Sequence, residues 1–168
     1  MIPKPASVRK QTTKTMANTY SQLYVQMIFA VKYRQSLITP DMKSRIEQYI
    51  CGIAANNHCK PISIYCNPDH VHLFVSMKPK VSCSDVIQKI KSGTSLFINQ
   101  HHLLTNHFEW QTGFGAFSYG KSQTDVVCKY IQIQQYHHRK VSFEDEYIAL
   151  LKAFEVEYNT QYLFDWLF

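Results

Sequence analysis

A chain of 168 residues, 45% of them hydrophobic, can bury one full core without disulfide or metal staples, which excludes a small cross-linked scaffold. No apolar run approaches the roughly eighteen residues that cross a bilayer, and the first fifteen residues carry no hydrophobic segment, so a cytoplasmic protein is expected rather than a membrane-spanning or secreted one. The net charge of +6 conceals an asymmetry: residues 1–141 hold 17 Lys/Arg against 6 Asp/Glu, a net of +11, whereas residues 142–168 hold one lysine against six acids, a net of −5. A basic body with 11 tyrosines and 10 phenylalanines suits a polyanion whose bases stack, which points toward nucleic acid. The five cysteines are odd in number and form no Cys-x-x-Cys pair, so they read as reduced residues, and Cys59, Cys66, His70 and His72 match no familiar structural zinc spacing.

Residues 1–15 contain two prolines, four basic residues and no acid, and are expected to form a flexible basic arm, with Met16 as an alternative start. Residues 20–31 then alternate, with Leu23, Val25, Met27, Phe29 and Val31 on one face and Gln22, Tyr24 and Gln26 on the other, the pattern of a half-buried strand. Thr39-Pro40 supplies an N-cap and a first-turn proline, and Met42, Ile46, Tyr49, Ile50 and Ile53 recur at helical spacing, which predicts a helix over 40–56. A short strand over 60–66 meets the turn Asn67-Pro68-Asp69 and returns as a second strand from His70, making a hairpin. Side chains on a strand alternate faces, so His70, His72, Phe74 and Ser76 point one way and Val71, Leu73, Val75 and Met77 the other. Two imidazoles on one face are how a strand offers a pair of ligands to a metal, although histidines near a strand start also serve as plain rim residues.

Ser82 and Asp85 form a capping pair before a helix over 83–100, whose buried stripe is Val86, Ile90 and Phe97. Its small segment Ser92-Gly93-Thr94-Ser95 is expected to serve packing, and His101, His102 and His107 fall in the following loop. Residues 108–118, aromatic and glycine-punctuated, read as a strand with a bulge at Gly113–Gly115. Strand, helix, strand, strand, helix, strand is the ferredoxin-like order, so the fold class is α+β: an RRM-like antiparallel sheet with two helices on one face and the other face free. Ser122 and Asp125 open a third helix through about residue 140, on which Tyr130 and Gln134, one turn apart, share a face with Val127, His137 and His138. A Ser142 cap followed by Tyr147, Leu151, Phe154 and Tyr158 predicts a C-terminal packing helix, and the apolar tail places Asp165 as a candidate neighbour of a metal.

The motifs Asp69-His70-Val71-His72, Phe108-Glu109-Trp110-Gln111, Gly113-Phe114-Gly115-Ala116-Phe117-Ser118 and Tyr130-Ile131 with Gln134, in this order over about nine-tenths of the chain, resemble the single-tyrosine HUH transposases of bacterial insertion sequences, the insertion sequence two hundred group. The resemblance implies that His70 and His72 are the HUH pair, Gln134 the third metal ligand and Tyr130 the nucleophile. It also implies transesterification of single-stranded DNA through a 5′-phosphotyrosine link, recognition of DNA hairpins at element ends, and a homodimer in which the tyrosine helix can complete the partner's site across a hinge at Tyr119-Gly120-Lys121. A tyrosine hydroxyl, with a pKa of about 10, needs help to lose its proton, and a divalent ion on nitrogen and oxygen ligands, Mg2+ or Mn2+, supplies charge stabilisation. Lys89, Lys91, Lys121, Lys129, Arg139 and Lys140 are the expected phosphate contacts. Two alternatives use similar parts: a non-enzymatic single-stranded nucleic-acid binder, which needs exposed aromatics on the central strands, and an HUH nickase that processes repeated palindromes.

Overall fold

The computed structural model of the chain describes residues 20–163. The expected arm over 1–15, Met16 and Asp165 lie outside the described residues. Four strands, β1 (Leu23–Ala30), β2 (Cys59–Cys66), β3 (His70–Met77) and β4 (Gly115–Tyr119), form one antiparallel sheet in the order β2-β3-β1-β4. This is the predicted ferredoxin-like arrangement. Five helices accompany it: α1 (Pro40–Asn56), α2 (Cys83–Gln100), α3 (Thr124–Gln132), the single turn α4 (Gln134–His137) and α5 (Phe143–Ala153).

The alternation of β1 and β3 divides the molecule into two layers. Met27, Phe29, Val31, Val71, Leu73, Val75 and Met77 pack against Met42, Ile46 and Ile50 of α1 and Val86, Ile87, Ile90 and Ile98 of α2. Proline at the first turn starts α1, and the Ser82 hydroxyl accepts from the Asp85 amide to cap α2. Gly93 is where α1 comes close, since a Cβ there would lie 2.7 Å from Cδ1 of Ile53, so the small segment serves packing as expected.

The opposite face departs from expectation because it is covered rather than free. Val127 and Ile131 of α3 pack on Tyr24 and Phe74, and Phe143 and Leu151 of α5 pack on Ile28, Ala30 and Phe117. The aromatic residues of this face are too large an apolar surface to leave in water, and the two later helices bury it.

Four predicted elements are shorter than their sequence pattern, one of them α5, which ends at Ala153 before Phe154 and Tyr158. Leu23 is exposed and the strand before it does not form, because no partner reaches residues 20–22. Residues 108–114 leave the sheet after one bridge between Trp110 and Val31. The cause is Trp110, which turns its indole into the helical layer, donates to Thr94 Oγ1 at 2.8 Å and packs edge-on against Phe29 and Phe108, both at 4.9 Å. Lys91 holds the departing loop through the carbonyls of Gln111 and Gly113, and Gly113 takes a left-handed φ of +80 that favours glycine. The predicted helix over 122–140 breaks at Ile133 (φ −94, ψ 12), where the Tyr136 amide donates to the Ile133 carbonyl, an i to i+3 bond that tightens the turn. That tightening turns the following histidines back toward Tyr130, with the Tyr130 and His137 rings 5.4 Å apart.

Candidate metal centre and nucleophile

His70 pairs with Ala30 and His72 with Ile28 across the central strands, so both imidazoles rise from the middle of the sheet on the face that α3, α4 and α5 cover. Both are fully buried. His70 Nδ1 lies 2.7 Å from Asp69 Oδ1, and Asn67 Nδ2 lies 2.9 Å from Nε2, so the carboxylate fixes the proton on Nδ1 and Nε2 faces the site as an acceptor. Burial pulls the His70 pKa down to about 3 despite Asp69, with His72 and His138 adding to the fall, which keeps the ring neutral and able to ligate. Burial would raise the pKa of Asp69, but the His70 hydrogen bond and charge, with Arg34 at 3.8 Å, outweigh it and hold the carboxyl below its usual value.

His72 Nδ1 lies 2.9 Å from Gln26 Nε2, and Gln26 Oε1 accepts from the Tyr119 hydroxyl at 2.8 Å. Turning the Gln26 amide over keeps both contacts, because its oxygen then accepts from His72 Nδ1–H while its nitrogen donates to the tyrosine oxygen. In that orientation His72 Nε2 is a lone pair aimed into the site, which is what a metal requires.

Facing these rings is Glu146, on the first turn of α5, a carboxylate only 3% exposed. Its Oε2 lies 3.1 Å from His138 Nε2, 3.4 Å from His72 Nε2 and 3.8 Å from His70 Nε2. Its Oε1 accepts from Gln134 Nε2 at 2.9 Å and from the Tyr130 hydroxyl. His70, His72, His138 and Glu146 each offer one ligand atom, and all four atoms lie within 4.8 Å of one another. His72 Nε2, His138 Nε2 and Glu146 Oε2 are buried and have no hydrogen-bond partner among the described residues. Three unpartnered polar atoms converging on one point are costly in an apolar interior, and a divalent cation there satisfies all of them, so the residues fit a metal. Burial lowers the pKa of His137 and of His138, which likewise favours the neutral form.

A family model described as "Transposase IS200 like" matches residues 19–134. This chain belongs to the IS200-like transposase family. It is 25% identical over 118 residues to the ISDra2 transposase TnpA of Deinococcus radiodurans, covering 67% of this chain and 84% of that protein. It is 22% identical over 126 residues to the transposase for insertion sequence element IS200 of Salmonella typhimurium, covering 72% and 82%. Among solved structures, the crystal structure of a putative transposase from Deinococcus radiodurans superposes with a TM-score of 0.57 at 21% identity, over 76% of this chain and 97% of that one. A REP-associated tyrosine transposase bound to a REP hairpin superposes with a TM-score of 0.55 at 15% identity, over 75% and 74%. These likenesses establish the same fold.

In this IS200-like transposase the structure brings together Tyr130, His70, His72 and Gln134, and the rings of Tyr130 and His72 stand 6.1 Å apart. Gln134 is fully buried, its Nε2 donating to Glu146 and its Oε1 3.3 Å from Asn67 Nδ2. The basic candidates divide by layer. Lys121, Lys129, Arg139 and Lys140 are exposed on the layer that covers the histidines, whereas Lys89 and Lys91 are on α2, across the sheet. Lys89 donates to Asn57 Oδ1 at 2.6 Å, and Arg139 stacks over Tyr136 at 5.1 Å. Glu146 and His138 are the members of this cluster absent from the expected ligand set, and Glu146 is absent from the sequence expectation altogether. The signal was its position three after Phe143 and four before Leu150, which puts an acid on the packed stripe of α5. Among the described residues no helix is long and apolar enough to cross a membrane.

Proposed function

We propose that this transposase cleaves and rejoins single-stranded DNA at element ends by metal-assisted transesterification, with Tyr130 as the nucleophile and His70, His72 and Gln134 as metal ligands. The observation that carries the reading is the convergence of the Tyr130 hydroxyl, both HUH imidazoles and Gln134 on one buried cluster within a single chain. A divalent ion, Mg2+ or Mn2+, would supply charge stabilisation at the phosphate oxygens and the departing oxygen, and imidazole donors favour Mn2+ of the two. Asp69 and Gln26 orient the two imidazoles. Tyr130 gives up its hydroxyl proton and attacks phosphorus, the P–O3′ bond breaks, and a 5′-phosphotyrosine and a free 3′-hydroxyl result. The phosphoester bond is exchanged rather than hydrolysed, so attack by another 3′-hydroxyl reverses the step and no nucleotide cofactor is consumed.

The exposed cations Lys121, Lys129, Arg139 and Lys140 support phosphate contacts on the site's own layer, and Lys89 and Lys91 would meet DNA only on the far layer. Hairpin recognition is proposed for this surface, in cytoplasmic DNA. Exposed Val126 on α3, Ile133 at the break and Tyr136 on α4 support a homodimer built on this face. An exchange of the tyrosine helix between copies would pivot before α3, where Gly120 has an ordinary φ of −78. A purely binding sheet is not supported, because the aromatics it would use, Tyr24, Phe74 and Phe117, are covered.

The test is incubation with labelled single-stranded DNA from the flanks of its own gene, with and without Mn2+. A covalent adduct that needs the metal and is absent in Tyr130→Phe is expected. An adduct that survives this substitution refutes the assignment of Tyr130. In His72→Ala, cleavage is lost while hairpin binding is retained.

A further inference from the structure

Transesterification requires the scissile phosphate to stand between the attacking hydroxyl and the ligand atoms, with phosphorus facing Tyr130 and a non-bridging oxygen facing the imidazoles. In the structure that space is filled. One oxygen of Glu146 accepts from the Tyr130 hydroxyl and from Gln134, and the other sits 3.1 Å from His138 Nε2 and 3.4 Å from His72 Nε2. A carboxylate has two oxygens sharing one negative charge, as the non-bridging edge of a phosphodiester does. It therefore satisfies the same donors and the same cation.

Glu146 is placed there by α5, whose Phe143 ring stacks on His70 at 4.0 Å and whose Tyr147 ring lies over Gly115. The carboxylate is not sealed on every side. A cleft of about 540 Å3 runs between α3 and α5, is lined by Val126, Val127 and Leu150, and ends at Tyr130 and Glu146. The nucleophile and the carboxylate therefore border one cleft.

Building on the metal site and nucleophile proposed above, we propose that Glu146 is a resident metal ligand that holds the place of the scissile phosphate until single-stranded DNA displaces it. In the free protein, His70, His72, His138 and Glu146 form an all-protein site in which Gln134 donates to the Glu146 carboxylate instead of ligating, and Tyr130 is tied to that carboxylate rather than to DNA. Entry of a phosphodiester exchanges one anion for another: the phosphate oxygen takes the ligand position, the Tyr130 hydroxyl is released toward phosphorus, and the first turns of α5 move outward. Metal and DNA are then coupled through a single side chain. Removing the carboxylate loosens the metal in the free protein and removes a competitor of the DNA.

The experiment compares Tyr130→Phe with the double variant Tyr130→Phe/Glu146→Gln, so that no strand is cut. Mn2+ binding is followed by electron paramagnetic resonance, with and without a saturating single-stranded oligonucleotide from the flanks of the protein's own gene. Glu146→Gln is expected to weaken Mn2+ binding about tenfold or more without DNA, to leave it unchanged with DNA, and to tighten oligonucleotide binding roughly fivefold or more. Glu146→Ala is expected to behave alike, which guards against a fault peculiar to the amide. Unchanged Mn2+ affinity without DNA overturns the ligand role. An equal loss with and without DNA overturns the displacement, since Glu146 then stays bound throughout. His72→Ala separates this proposal from the metal reading: Mn2+ binding unaffected by that change sinks the site itself, whereas binding lost there but insensitive to Glu146 sinks only the role of Glu146.

Discussion

Gly115 sits on β4 opposite Ile28, where the Tyr147 ring of α5 lies against the sheet. A Cβ at this position would lie 2.8 Å from both Cε2 and the hydroxyl oxygen of Tyr147 and 3.0 Å from Cε2 of Phe117. Carbon contacts relax only near about 3.5 Å, so in Gly115→Ala the Tyr147 ring must retreat by roughly 0.7 Å or more. The ring is rigid and is packed against Phe143 at 5.6 Å and Phe117 at 6.4 Å, so the displacement passes to α5 instead of being absorbed by a rotamer. Overpacking of this kind costs about 1–3 kcal/mol. For a domain of this size that lowers Tm by roughly 3–10 °C. Glu146 directly precedes Tyr147, so Mn2+ affinity should fall in the same variant. Thermal unfolding with and without Mn2+ measures both effects. Gly120→Ala is the control, because its Cβ would meet nothing nearer than 3.7 Å and its φ suits any residue; it should be neutral or slightly stabilising. A Gly115→Ala protein with wild-type Tm and wild-type Mn2+ affinity would refute the claim that the α5–β4 approach positions Glu146.

Two further outcomes follow from the buried polar chain. Gln26→Leu removes the partner of His72 Nδ1 and of the Tyr119 hydroxyl, and should weaken Mn2+ binding about 10–100-fold with a stability loss of about 1–3 kcal/mol; an unaltered Mn2+ titration would show that Gln26 does not orient the ring. His70 has a folded pKa near 3, below its ordinary value of 6.5, so the unfolded chain binds a proton that the folded one refuses. The metal-free protein should lose stability as pH falls from about 6.5 toward 3, and His70→Gln should flatten that part of the urea-midpoint profile; parallel profiles would contradict it.

The sheet was legible because strand alternation is a local property. Val25, Met27 and Phe29 had to face one side and Gln26 the other whatever covered them, and the hairpin through Asn67-Pro68-Asp69 follows from turn chemistry. The same rule placed His70 and His72 on one face, and the one-turn spacing of Tyr130 and Gln134 survives in their shared acceptor, Glu146 Oε1. Where the pattern misled, a tertiary contact overrode a local preference. Residues 108–114 have strand-like composition, yet Trp110 finds Thr94 and an aromatic pocket in the helical layer, and the chain leaves the sheet to deliver it.

The sequence alone thus determined the α+β order, the two faces of β3, and the shared face on which His70 and His72 stand. Only the tertiary structure decided what closes over them. Glu146 and His138 reach the site from segments 76 and 68 residues beyond His70, brought there by the break at Ile133 and by the packing of Phe143, Tyr147 and Leu151 on the outer face of the sheet. No periodicity encodes such a meeting, because it depends on how helices cross a sheet rather than on spacing along the chain. The pair His70 and His72 is half a site by local rules, and the carboxylate opposite them is brought there by α5 covering an apolar face.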